Sequence, residues 1–385
     1  MKKFLSILTC FILFSQSVSA QQNTTAVEIS APSAILMEAD TGQVIFEKDA
    51  DTKRAPASVT KIMTMILIFD ALKEGKISLG DEVTTSEHAA SMGGSQVFLE
   101  VGEKQTVDTL LKCIAVASAN DACVVMAEYI CGNESEFVAQ MNKRAEGLGM
   151  TNTQFQNCNG LDVEGHLTTA RDIAIMSREL ITKYPQIRNY CMIWQETITH
   201  TTRKGTSEFG LSNTNKLVRH YEYATGLKTG STNQAKFCIS ATGEKNGVEL
   251  IAVIMAADDS KQRNADAVTL LNYGFGKCQI YKEESAPSLP NAKVVRGVRE
   301  EVKIRQTNPF SYVDVTGANL NNICREVKLE QEIRAPITKG EKLGEVKYSL
   351  DKKEIGSVDI VAAENIEEIT YGITFLNVLR KYFII

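Results

Sequence analysis

The 385-residue sequence has no Cys-x-x-Cys pair and no His-Glu-x-x-His run, and its four histidines fall at no metal-ligand spacing. A metal mechanism therefore has no residues to stand on. The nine cysteines form no regular framework either, and a chain of this length needs no disulfide staples, so any pairing stays open. Proline is scarce, at seven residues, while hydrophobic residues make up 43%. Such a composition buries a sizeable core, spread over two or three domains. Excess positive charge is missing too: the formal net charge is −5, which argues against nucleic acid as a partner.

What is present begins at the N-terminus. Lys2-Lys3, the apolar run Phe4 to Phe14 and the small residues Val18-Ser19-Ala20 form the three regions of a secretory signal over residues 1–20. Export is the expectation, with a mature chain starting near Gln21.

The central stretch is Pro56-Ala57-Ser58-Val59-Thr60-Lys61. It runs into Ile62-Met63-Thr64-Met65-Ile66-Leu67-Ile68-Phe69, which predicts a helix apolar nearly all round and hence buried. Ser58 and Lys61 lie one turn apart on that helix, close enough for a lysine amine to take the hydroxyl proton. The lysine must be neutral, and desolvation or a neighbouring positive charge makes it so. The tetrapeptide alone proves little, because the same spacing recurs at Ser349 and Lys352.

Ala34 to Ala39 and Val44 to Glu47, separated by Asp40-Thr41-Gly42-Gln43, predict an antiparallel pair ahead of this helix. Helical patterns over Val107–Val116, Ala122–Ile130, Glu136–Leu148 and Thr169–Leu180 then predict an all-helical insertion. Strand patterns return at Thr225–Thr232, Lys236–Thr242 and Val248–Ala256, followed by a helix from Arg263 to about Tyr273. These pieces make an α/β (α+β) domain over residues 27–280, a central antiparallel sheet with helices on its faces and a helical subdomain to one side. Beyond the linker-like Ala286-Pro287-Ser288-Leu289-Pro290-Asn291, alternating patterns predict a small all-β domain over 288–364. Residues 366–385 read as an amphipathic helix with a narrow polar stripe of Thr370, Thr374, Asn377 and Lys381, suited to lying in a membrane surface.

Three short signals fall in one order: Ser58-Val59-Thr60-Lys61, Ser118-Ala119-Asn120 and Lys228-Thr229-Gly230. On a helix start, a turn and an edge strand, they form the set found in penicillin-binding proteins and serine β-lactamases. With them stand Gly93-Gly94-Ser95-Gln96, Asn159-Gly160-Leu161, Gly165-His166-Leu167-Thr168-Thr169-Ala170-Arg171-Asp172 and Ala335-Pro336-Ile337-Thr338-Lys339-Gly340. Over nearly its whole length the sequence resembles the low-molecular-weight penicillin-binding proteins, D-alanyl-D-alanine carboxypeptidases. Ala119 departs from the glycine common there and leaves both functional side chains in place.

The resemblance implies a serine peptidase that removes the terminal D-alanine of peptidoglycan stem peptides ending in D-Ala-D-Ala, without a metal or cofactor, and that β-lactams acylate. It implies location at the outer face of the bacterial cytoplasmic membrane, held there by the C-terminal helix. Ser58 would be the nucleophile, Lys61 its base, Ser118 a proton shuttle and Asn120 the holder of the substrate amide. The backbone N–H groups of Ser58 and Ser231 would form the oxyanion hole. Lys228, Thr229, Gly230, Thr232 and Arg263 would bind substrate, Arg263 suiting its free carboxylate, with Asn213-Thr214-Asn215 lining or bracing the site. Rival readings are a D,D-endopeptidase with the same residues, a serine β-lactamase and a non-catalytic wall-binding scaffold. Against the lactamase, no Glu-x-x-Leu-Asn run lies between Asn120 and Lys228.

Overall fold

The computed structural model describes residues 27–372. The chain opens with the expected hairpin, β1 (Ser33–Glu38) and β2 (Val44–Lys48), then enters α1 (Lys61–Lys73) through a single 3-10 turn over Ala57–Thr60. Next come β3 (Glu82–Thr84), α2 (Glu87–Ala90), β4 (Lys104–Thr106), α3 (Val107–Lys112), α4 (Asn120–Cys131), α5 (Glu134–Gly147), α6 (Ala170–Lys183) and α7 (Arg188–Cys191). After β5 (Gln195–Thr202), β6 (Gly205–Ser212) and α8 (Leu217–His220), strands β7 (Ala224–Thr232), β8 (Lys236–Lys245) and β9 (Val248–Ala257) lead to α9 (Ser260–Lys277). The helical region is thus not all helical. It carries two antiparallel ribbons, β3–β4 and β5–β6.

Five strands make the main antiparallel sheet in the order β2-β1-β9-β8-β7, which leaves one edge of β7 open. Alternation along the strands divides the core in two. Ile35, Met37, Ile251, Val253 and Met255 face the helical region, whereas Ala34, Leu36, Leu250, Ala252 and Ile254 face Leu270 and Leu271 of α9. On the first face, α1 is enclosed: Ile62, Met63, Met65, Ile66 and Ile68 lose all solvent contact. At about 1.5–3 kcal/mol per buried aliphatic side chain, this helix is a firm platform for whatever its first turn carries.

The C-terminal module adds β10 (Gln279–Lys282), β11 (Ala292–Lys293), β12 (Glu301–Val302), β13 (Ile304–Gln306), β14 (Ser311–Asp314), β15 (Ile323–Leu329), β16 (Lys342–Leu350) and β17 (Lys353–Ala362). A four-stranded sheet, β13-β17-β16-β15, packs over its own core of Val302, Val346, Tyr348 and Ile360, with Phe310 stacked on Tyr348. The expectation of a helix from Ile366 needs correction. Ile366 is buried and bridges Ile337, and Glu368 bridges Gly297, so this segment is extended and its apolar side chain completes the β-module core. The remainder of that predicted helix from residue 373, and the predicted signal, lie outside the described residues. Among the described residues no helix is long and apolar enough to cross a membrane.

Candidate active site

Ser58 sits in the 3-10 turn, displayed by Ala57, whose φ of +49° lies in the left-handed region that L-residues avoid. One turn on, Lys61 has no exposed surface. Its Nζ donates to Ser58 Oγ at 2.9 Å, Asn120 Oδ1 at 2.7 Å and the Asn159 carbonyl at 2.5 Å. Three acceptors match the three protons of an ammonium. A neutral amine keeps two protons for Asn120 and Asn159 and turns its lone pair toward the Ser58 hydroxyl, which then donates. Burial drives the amine toward that neutral state, pushing its pKa below the usual lysine range, while Cys123, Cys158 and the Asp121 carboxylate pull the other way.

Across the cleft, α3 runs into a π-helical turn over Cys113–Ala117 that ends at Ser118, itself at φ +63°. Ser118 Oγ accepts from Lys228 Nζ at 2.9 Å, and the same ammonium reaches the Thr229 carbonyl at 3.0 Å. Among the described hydrogen bonds Ser118 is thus tied to Lys228 and not to Lys61. Lys228 is as deeply enclosed as Lys61, and burial followed by the Lys61 charge pushes its pKa well down. Two buried lysines so placed each disfavour the other's charge. Asn120 opens α4, its Nδ2 donating to Gly93 O at 2.7 Å and its backbone N–H to Ser95 O at 2.7 Å, which fixes Oδ1 toward Lys61.

Strand β7 brings Lys228, Thr229, Gly230, Ser231 and Thr232 along its open edge. A β-carbon at position 230 would lie 2.7 Å from Ser58 N, so glycine there lets the strand meet the Ser58 turn. On the other side, a β-carbon at Gly160 would fall 1.9 Å from Ala57 O, and Gly160 also takes φ +90°. Thr229 Oγ1 donates to Thr214 Oγ1 at 2.8 Å. Asn213 Nδ2 donates to the Cys191 and Ile193 carbonyls and Asn215 Nδ2 to Gly226 O; these two amides brace the backbone under β7.

Arg263, on the first turn of α9, is buried and hydrogen-bonds its neighbour Asn264. No carboxylate of the described residues pairs with it, and burial pushes its pKa down to about 10. Such an arrangement leaves a cation waiting for an anion. His166 plays no proton-transfer part. Its Nδ1 accepts the Gln156 N–H at 3.0 Å, so Nε2 carries the proton and donates to Thr60 Oγ1 at 2.8 Å; burial holds the ring neutral, with a pKa of about 4.

Sequence reasoning missed two contributors. The Asn159 carbonyl holds Lys61, and Asp162 anchors the tip of the β7–β8 hairpin, accepting Thr232 Oγ1 at 2.6 Å and the Gln234 N–H at 3.3 Å. The Asn-Gly pair at 159–160 was the available signal, as a turn; nothing in the sequence gave its distance from Lys61. A cavity of about 630 Å³ beside Asp70, Arg144 and Lys183 lies elsewhere and is lined by none of these residues.

A serine held by a neutralisable lysine, beneath the open edge of an antiparallel sheet, is equipped for acyl transfer, and the surrounding fold is that of the penicillin-binding proteins. Penicillin-binding protein 5 from Haemophilus influenzae superposes with a TM-score of 0.71 at 30% identity, over 89% of this chain and 99% of that one. PBP3, a peptidoglycan synthesis regulatory factor from Streptococcus pneumoniae, gives 0.73 at 27% identity, over 88% and 100%. Residues 17–259 match the D-alanyl-D-alanine carboxypeptidase family and residues 275–368 the penicillin-binding protein 5 C-terminal domain. The D-alanyl-D-alanine carboxypeptidase DacF of Bacillus subtilis is 41% identical over 98% of this chain and 97% of its own length; DacC of Escherichia coli is 32% identical over 93% and 90%. The chain belongs to the D-alanyl-D-alanine carboxypeptidase family of serine peptidases.

Proposed function

We propose that this protein removes the terminal D-alanine from peptidoglycan stem peptides ending in D-Ala-D-Ala, and so limits the crosslinking of the wall. The observation that carries the reading is the buried Lys61 amine against Ser58 Oγ. Neutral Lys61 takes the hydroxyl proton as Ser58 Oγ bonds to the carbonyl carbon of the penultimate residue. The carbonyl electrons move to oxygen, where the N–H groups of Ser58 and Ser231 receive them. As the peptide C–N bond breaks, Lys61 gives up that same proton to the departing amine by way of the Ser118 hydroxyl, which Lys228 holds in place, and is neutral again. Asn120 holds the substrate amide. Water then attacks the ester, with Lys61 again as base, and regenerates Ser58.

The substrate carboxylate lies with Lys228, Thr229 and Arg263, and the unpaired, buried guanidinium supports that placement. A free carboxylate in that position favours a carboxypeptidase over an endopeptidase, whose leaving group is a longer chain. The substrate joins β7 as an added strand. A β-lactam presents its amide and carboxylate to the same groups and leaves a stable ester on Ser58. The protein acts in the cell envelope, at the outer face of the cytoplasmic membrane, with the residues beyond Glu368 supplying surface attachment.

The test is release of D-alanine by the purified full chain from a synthetic pentapeptide, set against a crosslinked dimer, with labelled penicillin as a second probe. Release from the pentapeptide and a long-lived adduct on Ser58 are expected. Rapid turnover of the drug, or no adduct, overturns the reading in favour of a lactamase or a scaffold.

A further inference from the structure

The four-stranded sheet of the C-terminal module ends on β15, which among the described residues pairs with β16 alone. That ladder runs from Ile323 opposite Leu350 to Leu329 opposite Gly344 without a bulge, and β15 holds no proline. A bulge or a proline is a common way to blunt such an edge. The ladder also fixes where the free backbone groups point. Glu330 N–H donates to Leu343 O, and the Lys328 carbonyl faces Gly344, where a β-carbon would come within 2.3 Å of it. Cys324, Glu326 and Lys328 therefore turn N–H and C=O toward β16, while Arg325, Val327 and Leu329 turn theirs outward. Val327 lies opposite Val346 and Arg325 opposite Tyr348, both fully buried, so this side of β15 continues the core face of the module. Val327 and Leu329 nevertheless remain 42% and 38% exposed.

We propose that this edge binds the same edge of a second copy of the chain, antiparallel, about a two-fold axis at Val327. Charge selects the register. An axis at Glu326 sets that carboxylate against itself, and an axis at Lys328 does the same for the ammonium. Axes at Arg325 or Leu329 leave half the strand unpaired. With the axis at Val327, Glu326 of each copy meets Lys328 of the other at the sites between hydrogen-bonded pairs, where side chains approach most closely. The outward groups of Arg325, Val327 and Leu329 then bond those of Leu329, Val327 and Arg325 in the second copy, and the two valines close the apolar face. Glu326 already lies opposite Lys347, and Lys328 opposite Glu345. Across the seam the solvent face thus reads Lys347, Glu326, then Lys328 and Glu345 of the second copy, alternating in sign. The charges that bar most strands from this edge admit its own copy.

The test follows the mass of the purified full chain by sedimentation equilibrium as its concentration is raised to about 200 µM, because two short strands make a small interface and a weak dimer. The mass is expected to rise from one chain toward two. Val327→Pro removes an outward N–H, leaves the ladder to β16 intact and should hold the mass at one chain. Glu326→Lys and Lys328→Glu should each weaken association about tenfold or more by setting like charges across the seam. Mixed in equal amounts, these two variants should associate again, since one brings only ammonium groups to the seam and the other only carboxylates. That recovery also shows that neither has lost its fold. A mass of one chain at every concentration overturns the proposal, as does association indifferent to Val327→Pro or a mixture no tighter than its components.

Discussion

Serine followed three residues later by lysine occurs twice in this chain, and only one pair is chemical. Ser58 and Lys61 lie on a 3-10 turn entering a buried helix, where the amine is closed off from water and fixed by Asn120 and the Asn159 carbonyl. Ser349 and Lys352 lie at the end of β16 and in the exposed hairpin turn before β17, with Asp351 at φ +48° and Lys352 at φ +70°. That amine stands in water, and nothing encloses it. Neither pair differs from the other in spacing. The difference lies in what the rest of the fold places around them, and for Ser58 those neighbours come from positions 93, 120, 159 and 230.

Removing each serine in turn gives the largest contrast. Ser58→Ala should abolish the penicillin adduct and lower D-alanine release by about 10⁴-fold or more, whereas Ser349→Ala should leave both at the wild-type level. Loss of activity in Ser349→Ala, or retention in Ser58→Ala, breaks the comparison. A smaller, graded contrast is expected with pH. Both active-site lysines titrate below the usual range because they are buried, so at low pH both are protonated and no base faces Ser58. As pH rises and Lys61 gives up its proton, that base appears, and kcat/KM should climb about tenfold per unit until the amine is neutral. A rate independent of pH from 5 upward would show that no titrating lysine feeds the serine, and that burial of Lys61 is structural.

Much of this is legible in the sequence. Three motifs in one order located Ser58, the turn and the strand, and the β-rich runs at 225–232, 236–242 and 248–256 located the sheet edge that joins them. The β5–β6 ribbon was not legible, because its strands are rich in threonine and glycine and bury only Ile198, His200 and Leu211, too little for an alternation to show. Ile366 failed for the opposite reason. A short apolar run fits helix and strand alike, and its burial against Ile337 is a tertiary fact. The carbonyl of Asn159 escaped because a backbone group leaves no mark in a sequence.

Asp162 offers the finest test of how far the scaffold around Ser58 extends. Its two oxygens hold Thr232 Oγ1 and the Gln234 N–H, and Thr232 follows Ser231, whose own N–H is assigned to the oxyanion hole. Asp162→Asn can keep the acceptor for the threonine hydroxyl but presents an NH₂ where Gln234 needs an acceptor, so the hairpin tip loosens without losing its anchor. An oxyanion donor matters most when charge has formed on the carbonyl oxygen. The expected result is therefore a fall in kcat of about three- to tenfold with KM nearly unchanged. The control is Asp351→Asn beside the second serine–lysine pair, which removes a carboxylate that accepts from Asn322 at 3.0 Å and should alter neither constant. A rise in KM alone in Asp162→Asn would assign the aspartate to substrate binding. Equal behaviour of the two variants would mean that the ordered surroundings of Ser58 stop short of the hairpin tip, and that β7 and β8 hold Ser231 in place unaided.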